Sequence, residues 1–307
     1  PLKVAGPLHD LALGQVVADF VSVVGDNGTI ADSDFTKTGG SLDLLAAHGG
    51  VGVVFIAERM SATLKAKLHV LAASTSDRLF LLGANAANTS RSAAVTDAAD
   101  YRSDRELYQF NHPWTLDPET GVLIQVRPES WMASILSQID VDIHPGEEDT
   151  KALLAGIAKL TYPSLTREDY ITLREAGICA LERDDGFAFV SGRTTSLVPG
   201  KEEITRRRMT DYLQLSIART LRYSVKKKNT ESRRRANGGM IQAWLNDLQK
   251  AERIVEDFTV DTEKLNTPAQ RALGVEKILL RVRLLGHMLM LVMVTEIGTS
   301  VTVTEQS

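Results

Sequence analysis

The chain has 307 residues, of which 43% are hydrophobic and 24% charged, and its net charge is −4. Those proportions fit a globular protein with one large or two ordinary domains, and they exclude a disordered chain or one that coats nucleic acid over its whole surface. The single cysteine, Cys179, excludes an internal disulfide and a cysteine-rich metal site, and no run of about 18 apolar residues is present to cross a membrane as a helix.

Residues 1–34 read as an N-terminal arm or the end of a preceding domain. The chain starts at Pro1 without Met or a signal-like stretch, as a fragment or processed product would. Residues 16–24 form an apolar, strand-like run, and the turn formers of 25–33 follow it. From Ser41 the chain alternates. A helix capped by Ser41 stops at Gly49 and Gly50. Residues 51–57 are a near-continuous apolar run, as in a buried parallel strand. A helix is expected over 61–73, a strand over 79–83, a helix over 89–100 and a strand over 107–110. This βαβ rhythm predicts a layered α/β domain.

The apolar stretch 121–127 predicts another strand, and Pro128, Glu129 and Ser130 open a helix to 139. Thr166 caps a helix over 165–176. Asp184, Asp185 and Gly186 then turn between two apolar strands, a hairpin signal. Cys179 lies in the first of these strands, between Ile178 and Ala180, and reads as a small core residue.

After the second strand come a turn at Gly192 and an irregular segment marked by Pro199 and Gly200. A long amphipathic helix follows, with Ile204, Met209, Leu213, Ile217 and Leu221 at helical spacing. Glu202 and Glu203 precede it and Arg219 and Arg222 end it, the polarity that a helix dipole favours. A basic run follows: Lys226, Lys227, Lys228, Arg233, Arg234 and Arg235. It reads as a loop before a helix over 240–254, and it lacks the interleaved aromatics of a nucleic-acid surface. A strand is expected over 277–285, where apolar and polar residues alternate and then apolar ones take over. Residues 299–304 alternate Val and Thr. A terminal strand of that kind can leave its own domain and pair with an exposed edge elsewhere.

Enzyme signatures fail. The glycines at 50 and 52 lack the third glycine of a dinucleotide loop and precede a strand. Lys201 is followed by Glu202, where a phosphate loop needs Ser or Thr. None of the six histidines, His9, His48, His69, His112, His144 and His287, is paired at metal-ligand spacing. Ser300 sits in a strand-like tail, not at a helix start with Asp and His partners. No catalytic, cofactor or metal residue is assigned. The rival from another class is an α/β enzyme or nucleotide-binding protein with no recognisable motif.

Several of these segments, taken together, resemble the contractile phage tail sheath proteins. An apolar strand ends in Gly192-Arg193-Thr194, and an Arg-rich helix then runs to Ser216-Ile217. The family carries a Trp-Gly pair where Ser191-Gly192 stands here. Gly39-Gly40, Tyr108 and Pro113, Pro128 and Ser130, then Phe258, Val260, Asn266, Thr267 and Gly274 follow the family's order. The resemblance covers most of residues 35–307. It implies a layered α/β core of subtilisin-like fold without a catalytic triad over 35–195. A smaller α+β C-terminal domain over 196–307, with extended terminal strands, completes the implied fold. It implies a structural subunit that polymerises helically around a tail tube in the virion tail, assembled in the bacterial host cytoplasm. By the same resemblance, this subunit is expected to contract and drive the tube through the host envelope. Its implied partners are other copies of itself, the tube protein, and the baseplate and tail terminator proteins, with no cofactor, nucleic acid or membrane insertion. Arg219, Arg222, Lys226, Lys227, Lys228, Arg233, Arg234 and Arg235 become the expected tube-facing contact. Val301, Thr302, Val303 and Thr304 become the expected intersubunit strand.

Overall fold

A computed structural model describes residues 31–47, 51–56, 60–74, 78–268, 271 and 275–287. The strand β2 (Arg78–Gly83) is buried along its whole length. Its Phe80 and Leu82 enter one apolar cluster and Leu79 and Leu81 another, on opposite faces of a sheet. The strands β1 (Gly52–Val54), β3 (Glu106–Phe110) and β7 (Ile178–Arg183) lie parallel around it in the order β1-β2-β3-β7. The strand β8 (Phe187–Phe189) closes that edge as an antiparallel hairpin partner of β7. Its turn is the expected one, with Asp185 at φ 43° and Gly186 at φ 127°.

Helices cover both faces, as a parallel sheet requires. The helices α3 (Ala62–Ser74), α4 (Arg91–Ala99) and α6 (Arg167–Glu175) bury Leu64, Leu68, Ala94, Ala98 and Leu173 against Phe80, Tyr108 and Ile178. Two short N-terminal helices, α1 (Asp32–Thr36) and α2 (Ser41–Ala47), pack beside α3. On the other face, α5 (Pro128–Gln138) brings Met132, Ile135 and Leu136 onto Leu81, Leu107 and Cys179. Thr166 caps α6 as the sequence predicts: its Oγ1 accepts the Asp169 N–H at 3.3 Å, and Asp169 accepts the Thr166 N–H at 2.8 Å.

Asn111 ends β3 at φ 74°. Its amide donates to the carbonyls of Leu181 at 2.9 Å and Tyr162 at 3.1 Å, and its Oδ1 accepts the Tyr162 N–H at 2.9 Å. A short polar side chain tolerates that backbone conformation because it bonds locally. The chain then peels from the carboxyl end of β3 into a second, antiparallel sheet. Its order is β5 (Leu123–Gln125), β4 (Pro113–Leu116), β6 (Ile157–Leu160). Here the structure departs from the sequence reading. The strand expected over 121–127 is present but shorter, three residues at the sheet edge, and exposed throughout. The strands β4 and β6 carried no clear sequence signal.

Beyond the sheet, α7 (Ile204–Leu221), α8 (Glu231–Lys250) and the antiparallel pair β9 (Val255–Asp261) and β10 (Leu279–Leu284) share their own core of Met209, Leu213, Ile241, Leu245 and Val255. The helix α8 begins earlier than expected. Thr230 caps it, so Arg233, Arg234 and Arg235 are helical and Gly238 and Gly239 lie inside the helix. Gly238 is needed there for packing, since a Cβ would come within 2.6 Å of Thr262 Cγ2.

Two buried groups give tests of this core. Cys179 is fully buried, its Sγ–H donates to the Arg193 carbonyl at 3.0 Å, and burial, followed by the charge of Glu203, pushes its thiol up to about 12. It is expected to resist thiol reagents in the native protein and to react fast in denaturant. Rapid native labelling would place β7 at the surface.

His112 is buried, and burial, then the Arg127 charge, lowers its pKa to about 4 from 6.5. The unfolded chain therefore takes up this proton first. Nothing is lost above pH 6.5. Between pH 6.5 and about 4 the fold loses up to about 3 kcal/mol through this group. Denaturant unfolding at pH 7 and pH 4 should show a smaller acid loss for His112→Gln than for the wild type. An equal loss would sink this assignment.

Candidate functional site

The segment from Gly192 to Thr195 joins the two cores. Gly192 sits against the turn at His144 and Pro145, and a Cβ there would come within 2.8 Å of Pro145 Cγ. Its N–H donates to His144 Nε2 at 3.1 Å. Arg193 pairs as a β-bridge with Glu203, and its guanidinium reaches the carboxylates of Glu202 and Glu203 at 3.8 Å. Thr194 Oγ1 donates to the Lys201 carbonyl at 2.8 Å. The Thr195 N–H donates to the Glu106 carbonyl at 2.8 Å, and its hydroxyl to that of Ser103 at 3.1 Å. The Gly-Arg-Thr turn is thus a clasp. It pins the chain across the amino end of β3 and launches α7, whose Ile204 N–H donates to the Gly192 carbonyl at 2.8 Å.

The Arg-rich start of α7 docks the helix. Arg105, on the sheet side, donates to both Asp211 oxygens, at 3.0 and 2.9 Å, with both side chains about nine-tenths buried. Arg207 also binds Asp211 and reaches Asp104 at 3.2 Å. Arg208 donates to the carbonyls of Leu136 at 3.1 Å and Ile139 at 2.9 Å, which end α5. Near the start of β9, Arg253 holds the carboxylates of Asp140 and Asp142. Asn266, singled out by the sequence, accepts the Lys277 N–H at 2.8 Å and donates to the carbonyls of Lys277 and Thr262 at 2.6 and 2.5 Å. It ties the β9–β10 connection together.

The basic set runs from the last turn of α7, far from the clasp, through the connection to the first turns of α8. Arg219, Arg222, Lys226, Lys227, Lys228 and Arg235 are exposed, and Arg233 is half-buried. Lys227 lies over the Tyr223 ring at 5.1 Å, and Arg235 pairs with Glu231 at 2.6 Å. Arg234 differs. It is buried, donates to Asn229 Oδ1 at 3.0 Å and lies 3.8 Å from Glu263, so its side chain faces the fold and is removed from the exposed contact set. The expected intersubunit strand Val301, Thr302, Val303 and Thr304, like Ser300 and Gly274, lies outside the described residues.

A cavity of about 370 Å³ beside the clasp is lined by His144, Glu147, Arg174, Ser191, Glu203 and His287. The Gly146 N–H lies 3.0 Å from His144 Nδ1 and the Gly192 N–H 3.1 Å from Nε2, and a neutral imidazole accepts only one of the two at a time. The Ser191 hydroxyl donates to the Ile178 carbonyl at 3.4 Å. Among the described residues no hydrogen bond links it to a base, as an activated nucleophile would need. Among the described residues no group of three His, Cys, Asp or Glu side chains is arranged to hold a metal, and no helix is long and apolar enough to cross a membrane.

The described elements form a mixed α/β chain in which one clasp couples a layered core to a helix-and-ribbon unit. Solved structures share that fold. A chain of the "anti-feeding prophage (AFP) baseplate" superposes with a TM-score of 0.68 at 16% identity, covering 84% of this chain and 72% of that one. A chain of the "Extracellular Contractile Injection System, PVC sheath complex in contracted state" gives 0.69 at 14% identity, covering 83% and 73%. The "anti-feeding prophage (AFP) helical sheath in contracted state" gives 0.67 at 16% identity, covering 85% and 73%. No protein-family model matches the chain, and no curated protein matches it. The fold is therefore that of contractile-injection-system sheath chains.

Proposed function

We propose that this chain is a structural subunit of a contractile sheath. Many copies polymerise helically around a tube and shorten by rigid-body rearrangement, driven by intersubunit contacts that differ between two states. The observation that supports this most is the shared fold with a helical sheath in its contracted state, over most of both chains. In this reading, 35–195 is a subtilisin-like core without a catalytic triad and 196–307 is the sheath C-terminal domain. The partners are other copies, a tube protein, a baseplate and a terminator. The place of action is a virion tail or an extracellular injection device. The exposed basic residues Arg219, Arg222, Lys226, Lys227, Lys228 and Arg235, with Arg233, face the tube, and residues 301–304 add as a strand to a neighbouring copy.

Negative-stain microscopy of the purified protein tests the reading. Sleeves or rings are expected, and monodisperse particles at every concentration would overturn it. Deleting residues 296–307 should leave a folded protein that no longer assembles. If the truncated protein unfolds instead, that strand belongs to its own core.

A further inference from the structure

Two exposed apolar patches lie at opposite ends of the parallel sheet. At the carboxyl end, the β4–β5 hairpin exposes Val122 at 60% and Ile124 at 42% on one face, and the opposed pair Leu116 at 58% and Leu123 at 38% on the other. At the amino end, where Thr195 is pinned to Ser103 and Glu106, the loop into α7 exposes Leu197 at 52% and Val198 at 56%. Exposed apolar residues scattered singly are ordinary, but contiguous ones mark contact sites.

The charges flanking these patches are opposite. Glu119 lies at the hairpin tip, and Asp117 holds the tip turn by accepting the Glu119 N–H at 3.0 Å and the Thr120 hydroxyl at 2.7 Å. Lys201 follows the loop, and the Arg206 guanidinium lies beside Gly200. Glu119, Lys201 and Arg206 are exposed and have no ion-pair partner among the described residues.

We propose that the β4–β5 hairpin of one copy docks on the 197–203 loop and the first turn of α7 of a second copy. Two different, complementary surfaces on one chain make a heterologous contact, which propagates as an open helical array when the rotation does not close. Because the patches sit at opposite ends of the strands, the contact stacks copies head to tail along the strand direction. This inference rests on the sheath reading and names one of its subunit contacts. It uses neither the basic residues at 219–235 nor the terminal strand.

A charge swap tests it. The critical concentration for polymerisation is measured by sedimentation for the wild type, Glu119→Lys, Lys201→Glu and the two combined, with thermal melts to confirm folding. Each single reversal should raise the critical concentration at least about ten-fold, since like charges then face each other across the contact. The combined variant should return to within about three-fold of the wild type. Single variants that polymerise like the wild type, or a combined variant no better than the singles, overturn the contact alone. A wild-type protein that stays monomeric at every concentration overturns the sheath reading, and this contact with it.

Discussion

Asp211→Ala is expected to destabilise the protein by about 3–5 kcal/mol, the scale of removing a buried carboxylate that binds two guanidinium groups. The loss follows from the geometry. Asp211 receives both terminal nitrogens of Arg105, at 3.0 and 2.9 Å, and the Arg207 Nε at 3.1 Å. Arg207 keeps a second carboxylate, Asp104, when Asp211 is removed. Arg105 keeps a hydrogen bond to the Arg78 carbonyl at 3.2 Å, but its buried guanidinium loses the paired carboxylate. Against a net stability of about 5–15 kcal/mol, such a loss is large. It should lower Tm by roughly 10 °C, at about 2–4 °C per kcal/mol for a chain of this size. Replacing both partners, Arg105→Met with Asp211→Leu, should recover most of the loss, because two apolar groups carry no desolvation penalty. Thermal melts of the two singles and the double complete the cycle. If Asp211→Ala melts with the wild type, the pair does not hold α7 to the sheet.

That pair also shows where the sequence stops being informative. The partners stand 106 positions apart, and nothing local marks either as buried. Local signals behaved differently. The apolar runs of β2 and β7, the cap at Thr166 and the turn at Asp185 and Gly186 depend on neighbours in the chain, so their elements were legible. The start of α8 was not, because Gly238 and Gly239 argue against a helix interior. Contact with Thr262, made only in the folded chain, supplies the reason for Gly238. The strand β6 buries only its first and last residues and shows no clean alternation. The strand β5 is apolar yet exposed, because a hydrophobic run states a preference and topology decides whether anything covers it. The Gly-Arg-Thr turn was found through a family pattern. Its physical role as a clasp needed coordinates, since its partners Ser103, Glu106 and His144 come from distant segments. The basic surface was legible as composition, but the burial of Arg234 was not, because its carboxylate neighbour Glu263 lies beyond α8.

Reversing Lys226, Lys227 and Lys228 to Glu is expected to weaken assembly on tubes by at least about ten-fold at low salt. The three side chains are exposed, and the one ring contact among them, Lys227 over Tyr223, is worth only about 0.5–1 kcal/mol. The monomer should therefore melt close to the wild type, which separates this experiment from the Asp211 substitution. The chain carries a net charge of −4, so a cationic surface on α7 and α8 is segregated charge, which fits a partner surface better than general solubility does. Attraction across an exposed rim is screened over about 8 Å near physiological ionic strength. The difference between variant and wild type should therefore shrink as salt rises. A Lys→Gln triple, which removes charge without reversing it, should fall between the two. Polymerisation without tubes should change less than assembly on them, because the head-to-tail contact uses the hairpin, the 197–203 loop and the first turn of α7 instead. Equal loss in both assays would move the basic surface into the contact between copies. No loss in either would leave it as solvated charge with no partner, and the tube would have to be held by another face.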